Sequence, residues 1–293
     1  VAARRLPASA IHQFVPLDTP ACVGRFLDHW RPDLVLFAES ELWPTMLKEV
    51  GRRAKPLVLI NARMSERSFR SWRAWPPFAR AVMRRFDLCL AQSDADAARL
   101  RALGAARVVV SGNLKFDAPP PPADPALLAE LRRQIGGRPV LVAASTHPGE
   151  DAPVIAAHAA LARSGAKLLT ILAPRHPERG VAVASEIAEA GLRFSRRSLG
   201  EPITSDTDIY LADTIGEMGL WYRLADVAFL GGSMVPHGGQ NPIEPVKLRV
   251  PVVHGGHVDN FRDVYDALAR AEAATLVHDS AGLAEAVSRL IGD

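Results

Sequence analysis

The sequence predicts an α/β protein of two domains, each built on a parallel sheet, and three observations lead there. Short apolar runs rich in β-formers alternate with longer segments of helical pattern, the rhythm of βαβ units. One proline-rich stretch, Asp117 to Pro125 (DAPPPPADP), breaks that rhythm. Polar and glycine-rich clusters stand directly after several of the apolar runs, where open parallel sheets take their ligands. The 293 residues are enough for about two domains with sizeable cores.

In chain order, strands are predicted at Leu34–Ala38, Pro56–Asn61, Leu88–Ala91 and Arg107–Ser111, with helix-like segments between them. Four consecutive prolines then lack N–H donors and favour an extended polyproline conformation, which neither a helix nor a central strand accepts. The stretch is the predicted linker between a first domain, residues 1–117, and a second, residues 118–293. In the second domain, strands are predicted near Pro139–Ala143, Lys167–Leu172, Asp208–Leu211, Val227–Leu230 and Pro251–Val253. Substrates are expected at the carboxyl ends of the strands, in a cleft between the domains.

Composition narrows the function classes. No apolar run approaches the roughly 20 residues of a membrane span, so this stretch is not itself transmembrane. The two cysteines, Cys22 and Cys89, sit in apolar surroundings and support neither a disulfide framework nor a thiolate metal cluster, and a reducing compartment fits best. A net charge of +3 is too small to imply a nucleic-acid partner. Its distribution says more: Lys48 to Arg85 holds eleven basic residues against the two acids Glu49 and Glu66, so that segment is expected to meet an anionic partner. No tripartite export signal follows Val1, and the chain is expected to begin inside a longer protein.

Several strand ends carry residues with chemical potential. Glu39-Ser40-Glu41-Leu42-Trp43-Pro44 follows the first strand, and Glu39 and Glu41 point the same way if the extended conformation persists. Two readings stay open, acid-base chemistry or a helix N-terminus at Pro44. Lys115, in Gly112–Asp117, stands at the domain junction within reach of a phosphate or carboxylate, or is a solvated turn lysine. Ser145 and Thr146, in Ala144–Asp151 (ASTHPGED), offer either an anion seat or an N-cap. Arg175, in Ala173–Arg179, has the donor fork suited to phosphate.

Gly231 to Pro245 is the densest signal: glycines let a backbone approach a ligand, and Glu244, one turn from Asn241, is placed to accept from a ribose diol. Gly216-Glu217-Met218-Gly219 supplies a second such turn. His147, His176, His237, His254 and His257 lie on different loops without metal-ligand spacing, so no metal is expected.

Taken together, AESELWP (38–44), INARMSERS (60–68), GNLKFD (112–117), ASTHPGED (144–151), APRHPERG (173–180), DTIGEMG (213–219) and GGQNPIEP (238–245) closely resemble the 3-deoxy-D-manno-octulosonic acid (Kdo) transferase family of lipopolysaccharide assembly. The resemblance runs in order over almost the whole chain. It implies the GT-B fold of two Rossmann-like domains with parallel sheets facing across a cleft, the N-terminal one truncated here. It also implies an inverting glycosyltransferase, without cofactor or metal, that moves Kdo from CMP-Kdo to the lipid A precursor at the cytoplasmic face of the inner membrane. Glu39 and Lys115 would stabilise the transition state. Pro174 and Arg175 would hold CMP, Gly216, Glu217 and Met218 would surround the nucleotide, and Asn241, Pro242, Ile243 and Glu244 would complete the site with Glu244 on the ribose.

Family members carry a membrane anchor and a base-bearing glutamate upstream of where this chain starts, and Ser40 stands where threonine is usual; slow or absent turnover by this stretch alone is therefore expected. The basic segment, with Phe69, Trp72, Trp75, Phe78 and Met83 interleaved, is expected to meet the anionic, acylated membrane surface. Two alternatives stand beside this reading: a nucleotide-sugar epimerase of the same fold, and a catalytically silent CMP-binding fragment.

Overall fold

The structure is a computed structural model that describes residues 6–292. The chain divides between Ala118 and Pro119 into two compact units.

Unit 1 carries a four-stranded parallel sheet in the order β1-β2-β3-β4, with β1 at Val35–Ala38, β2 at Leu57–Ala62, β3 at Leu88–Ala91 and β4 at Val108–Val110. Helices Pro20–Trp30, Pro44–Arg52 and Pro76–Met83 each begin on a proline, whose fixed φ suits a first turn that needs no N–H. Ser65 and Ser93 cap the helices Glu66–Arg73 and Asp94–Ala102 by accepting from the amides of Ser68 and Asp96. Val23, Leu47, Leu57, Leu59, Met83, Phe86 and Leu100 close one core around the sheet. Cys89 lies inside it, its thiol pushed up to about 11 by burial, and is chemically quiet.

Unit 2 carries a seven-stranded parallel sheet: β5 at Val140–Thr146, β6 at Leu169–Pro174, β7 at Phe194–Arg196, β8 at Ile209–Leu211, β9 at Val227–Leu230, β10 at Val252–His254 and β11 at Ala274–Leu276. Their order is β11-β10-β9-β5-β6-β8-β7. Both faces are covered, so β5 alternates Val140, Val142 and Ala144 into one core with Leu141 and Ala143 into the other. The chain leaves β5 in one direction to β6 and later returns to its other side as β9. The carboxyl ends of β5 and β9 are therefore the topological switch point, where doubly wound sheets open a ligand crevice.

Every strand predicted from the sequence forms, within three residues at either end. β7 and β11 were not anticipated. Each is three residues long and pairs on one side only, so neither has the length or the continuous apolar run of a buried strand. The proline stretch is also less free than a linker: Arg223 donates to the carbonyl of Pro121 at 2.5 Å, and a Cβ on Gly219 would stand 2.2 Å from that of Pro122. Asp124 ends it by capping the helix Pro125–Ile135. Among the described residues no helix is long and apolar enough to cross a membrane.

Candidate functional site

In unit 1 the carboxyl ends of the strands bring Glu39 and Lys115 together. β1 stops at Ala38 because Glu39 turns left-handed, φ 57°, donating its N–H to Ile60 and accepting from Arg63 at its carbonyl. Lys115 sits on a single 3₁₀ turn, Leu114–Phe116, after β4. That turn is held by Asn61 Oδ1, which accepts from the Leu114 amide at 3.1 Å, and by Asn113 Oδ1, which accepts from the Lys115 amide at 3.0 Å. Lys115 Nζ then reaches Glu39 Oε1 at 2.7 Å, with both side chains a little over one-third exposed.

Asn61, 6% exposed and itself left-handed, is the residue that sequence reasoning passed over; its place in INARMS at the end of β2 was the available signal. The expectation that Glu39 and Glu41 share one mouth fails, because the left-handed turn ends the two-residue alternation. Glu41 instead accepts from the Trp43 indole at 2.8 Å. Nor does Glu41 take the helix amides: those of Thr45 and Met46 go to Asp18, at 3.1 and 2.8 Å.

In unit 2 the switch point is dense with polar groups, and most are already matched within the protein. Glu150, fully buried, accepts from the amides of His147 at 2.9 Å, Gly232 at 2.6 Å, Ser233 at 3.0 Å and Met234 at 2.9 Å. The Thr146 hydroxyl is committed to Asp151 at 2.6 Å, and Asp151 also pairs with Arg179. The Thr146 hydroxyl is therefore not free for an anion, and the amides of Gly232–Met234 do not face a ligand. What the loops present is different. His147 stacks on His237, with centroids 4.2 Å apart and planes at 21°, while His176 stands edge-on to it at 6.2 Å. Gln240 Nε2 lies 3.0 Å from His147 Nε2. Burial, then the charge of His237, pulls the His147 imidazole below its usual range.

The remaining candidates divide by exposure. The Arg175 side chain is exposed, and its backbone N–H is tied to the Thr146 carbonyl at 3.0 Å, so β5 fixes its place. Pro174, Pro242 and Ile243 are buried, whereas Gly216 is exposed at φ 91°. Glu217 is gripped by the Arg197 fork at 2.7 and 3.1 Å and by the Thr214 hydroxyl; burial pushes its carboxyl up, but these partners outweigh it and hold it below its usual value. Glu244 accepts from Asn241 Nδ2 at 3.4 Å, and Asn241 Oδ1 accepts from the Ile243 amide at 3.1 Å. Met218 opens the helix Met218–Leu224, half-buried. Among the described residues no group of three or more His, Cys, Asp or Glu is arranged to hold a metal ion.

The basic segment is less one-sided than its sequence count. Arg53 pairs with Asp28 at 2.7 Å and Glu49 at 2.9 Å, Lys55 approaches Asp33 at 3.9 Å, and Arg70 pairs with Glu66 at 3.0 Å. Met83 is fully buried, and Phe69 and Trp72 pack against the unit 1 core. Trp75, 73% exposed, and Phe78, 49% exposed, remain outside, Phe78 stacked on Trp72 at 5.7 Å. A cleft of about 410 Å³ in unit 1, lined by Leu27, Val35, Val50, Arg53 and Lys55, lies at the amino-terminal ends of β1 and β2, the opposite end of the strands from Glu39 and Lys115.

Comparison with known proteins assigns the family. The family model for 3-deoxy-D-manno-octulosonic-acid transferase (kdotransferase) matches residues 1–118. A 3-deoxy-D-manno-octulosonic acid transferase of Haemophilus influenzae is 34% identical over 97% of this chain and 67% of its own length. The chain belongs to the Kdo transferase family.

The Bordetella pertussis member is 40% identical over 89% of this chain and 62% of its own. The chain spans 62–67% of the length of these two relatives. Among solved structures, the C-terminal CMP-Kdo binding domain of WaaA from Acinetobacter baumannii is 36% identical, with a TM-score of 0.55, covering 57% of this chain and 88% of that one. A UDP-GlcNAc 2-epimerase from Neisseria meningitidis, 14% identical with a TM-score of 0.60 over 93% of this chain, shares the fold alone. The α/β architecture of two parallel sheets is that of GT-B glycosyltransferases.

Proposed function

We propose that this chain is an inverting glycosyltransferase that moves Kdo from CMP-Kdo onto the lipid A precursor, at the cytoplasmic face of the inner membrane. The observation that carries the reading, beside family membership, is the 2.7 Å contact between Lys115 and Glu39 at the carboxyl ends of β1 and β4. In such a transfer the bond from the sugar to the CMP phosphate stretches before the acceptor oxygen closes in, and negative charge gathers on the departing phosphate. An ammonium held by a carboxylate on a fixed turn offsets developing charge without reorganising as the reaction proceeds. Glu39 keeps Lys115 in place; it is the electrostatic partner of the pair.

The donor belongs to unit 2. The CMP-Kdo binding domain named for the A. baumannii protein supports this, as does the exposed fork of Arg175 beside the switch point. Arg175 takes the phosphate with Pro174 behind it, Gly216–Met218 border the nucleotide, and Asn241–Glu244 take the ribose. Trp75 and Phe78, exposed in the same segment as the exposed Arg67, Arg73, Arg80 and Arg84, supply apolar side chains and cations suited to an anionic, acylated surface.

A radiolabelled transfer assay with freshly generated CMP-Kdo and a lipid A precursor, run on this chain and on one extended at its N-terminus, tests the activity. Transfer that Lys115→Ala slows by about 10² to 10³ supports it, and transfer unaffected by that change would remove the pair from the chemistry. Calorimetry tests the donor site: Arg175→Ala should weaken CMP by roughly 1.5–3 kcal/mol, the worth of a charge-assisted contact. Equal affinity for a uridine nucleotide, or no loss in the variant, would argue against it.

A further inference from the structure

We infer that Glu150 is a positioning residue for donor binding: its buried side chain pins the backbone of Gly232–Met234 to the loop after β5 and thereby sets where His237, Gln240 and Asn241 stand. The inference rests on the donor reading of unit 2 and adds to it a group that no ligand can touch, since Glu150 is 0% exposed.

Three consecutive amides converging on one anion form a nest, the backbone device that elsewhere cradles phosphate. Here it is filled from inside. Oε1 accepts from Ser233 and Met234, and Oε2 accepts from Gly232 and from His147 of its own loop, so both oxygens are fully used. Glu150 sits in the ASTHPGED segment after β5, whereas the nest follows β9, and the side chain therefore bridges the two sides of the switch point.

The bridge fixes a chain of dependent contacts. The Gly232 carbonyl accepts from the Gly239 amide at 2.8 Å and that of Gly231 from the Gln240 amide at 3.1 Å, which closes the loop between them. The closed loop holds His237 against His147 and Gln240 Nε2 on the His147 ring, and Tyr265 donates to the Gln240 carbonyl at 2.9 Å. Asn241 and Glu244 follow directly. Ser145 at φ 55° and Gly232 at φ 67° lie on either side of the bridge, and left-handed backbone at a non-glycine residue persists only where its surroundings over-determine it. A Cβ on Gly231 would stand 2.3 Å from the Ser145 carbonyl oxygen, so the two loops have no slack to take up if the anchor goes.

The test uses the full chain and Glu150→Gln, which keeps the size but replaces one acceptor oxygen with an NH2 group. With both proteins folded by near-ultraviolet circular dichroism, the CMP Kd from calorimetry should rise about tenfold to a hundredfold, the cost typical of losing an outer group that orients binding residues. In the transfer assay KM for the donor should rise with kcat little changed, because binding made equally in ground and transition states is what is lost. Glu150→Asp, still an acceptor but shorter, should fall between.

An unchanged CMP Kd in folded Glu150→Gln overturns the inference and leaves the donor site standing. A fall in kcat alone, from less folded enzyme, also overturns it. Absence of CMP binding by the unaltered chain would instead sink the donor reading. Should Glu150→Gln not fold, hydrogen exchange at the Gly232, Ser233 and Met234 amides of the unaltered chain decides. Slow exchange without CMP supports a loop held in advance, and fast exchange that slows only with CMP overturns it.

Discussion

Where unit 1 leaves Glu39 and Lys115 39% and 36% exposed at the ends of its strands, unit 2 buries Glu150, Asp151 and Asp213 at the ends of its own and satisfies each one. The first arrangement contributes little stability, because an exposed pair is screened by water and is worth about 0–1 kcal/mol. The second is costly to disturb, because removing one partner strands a charge away from water. Acids of the same type at equivalent places in two parallel sheets thus do different work: exposure leaves one pair available to a substrate, and burial turns the others into fasteners for loops.

The comparison breaks most visibly at Asp213. Its carboxyl accepts from Arg196 at 2.6 Å and from the Ser198 amide and hydroxyl at 3.0 and 2.8 Å. Asp213→Ala should destabilise unit 2 by about 3–5 kcal/mol, as for other buried pairs that lose one member. Urea unfolding measures this, and a loss under 1 kcal/mol would place Asp213 with the exposed acids. Lys115→Ala should do the reverse, lowering kcat by about 10² to 10³ as for loss of one preorganised charge donor, while the urea midpoint barely moves. Matching losses of activity and stability would mean that the pair is a fastener too.

Acidification should separate the regions more gently. Burial holds His158 and His254 below their usual range, as burial and His237 do His147. Groups with lowered folded values bind fewer protons folded than unfolded, so the stability they contribute is present above the unfolded value of 6.5 and is lost as pH falls through the folded values. Asp208, Asp213 and Glu217 are also held low: burial pushes each up, but Arg193, Arg196 and Arg197 respectively outweigh it. Their share is present above the unfolded values of 3.8 and 4.5 and disappears on further acidification. Unit 2 should therefore lose stability in two stages below pH 6.5, read from urea midpoints at stepped pH; a flat profile down to pH 4 would contradict the first stage.

The smallest effect is expected at Trp75. Trp75→Ser should alter stability by no more than about 0.5 kcal/mol, as for exposed positions generally, yet reduce sedimentation with anionic vesicles. Replacing Arg80 and Arg84 together should weaken the same binding by about 1 kcal/mol for each cation near the surface. Vesicle binding indifferent to all three changes and to salt would remove this segment from the membrane.

The fold was open to a reader of the sequence because its signals are local. Apolar runs such as Pro56–Asn61 and Pro139–Ala143, the proline at Pro44, and the proline stretch are each decided within a few residues by periodicity and backbone restriction. β7 and β11 escaped because three residues carry too little pattern. The ordered motifs were local too, and they were enough to indicate the family.

Tertiary structure decided which polar groups meet. Nothing near Glu150 in sequence announces that it will take the amides of Gly232–Met234, and nothing near Arg53 or Lys55 announces Asp28 and Asp33. Likewise, the run after Ala38 reads as extended until the Ile60 carbonyl and the Arg63 amide hold Glu39 in a left-handed turn. Hydrogen bonds and ion pairs are short-ranged in space but indifferent to sequence separation. The sequence by itself therefore determined the strands and the inventory of candidate groups, and only the folded chain decided which of those groups remain available for chemistry and which are consumed in holding the loops.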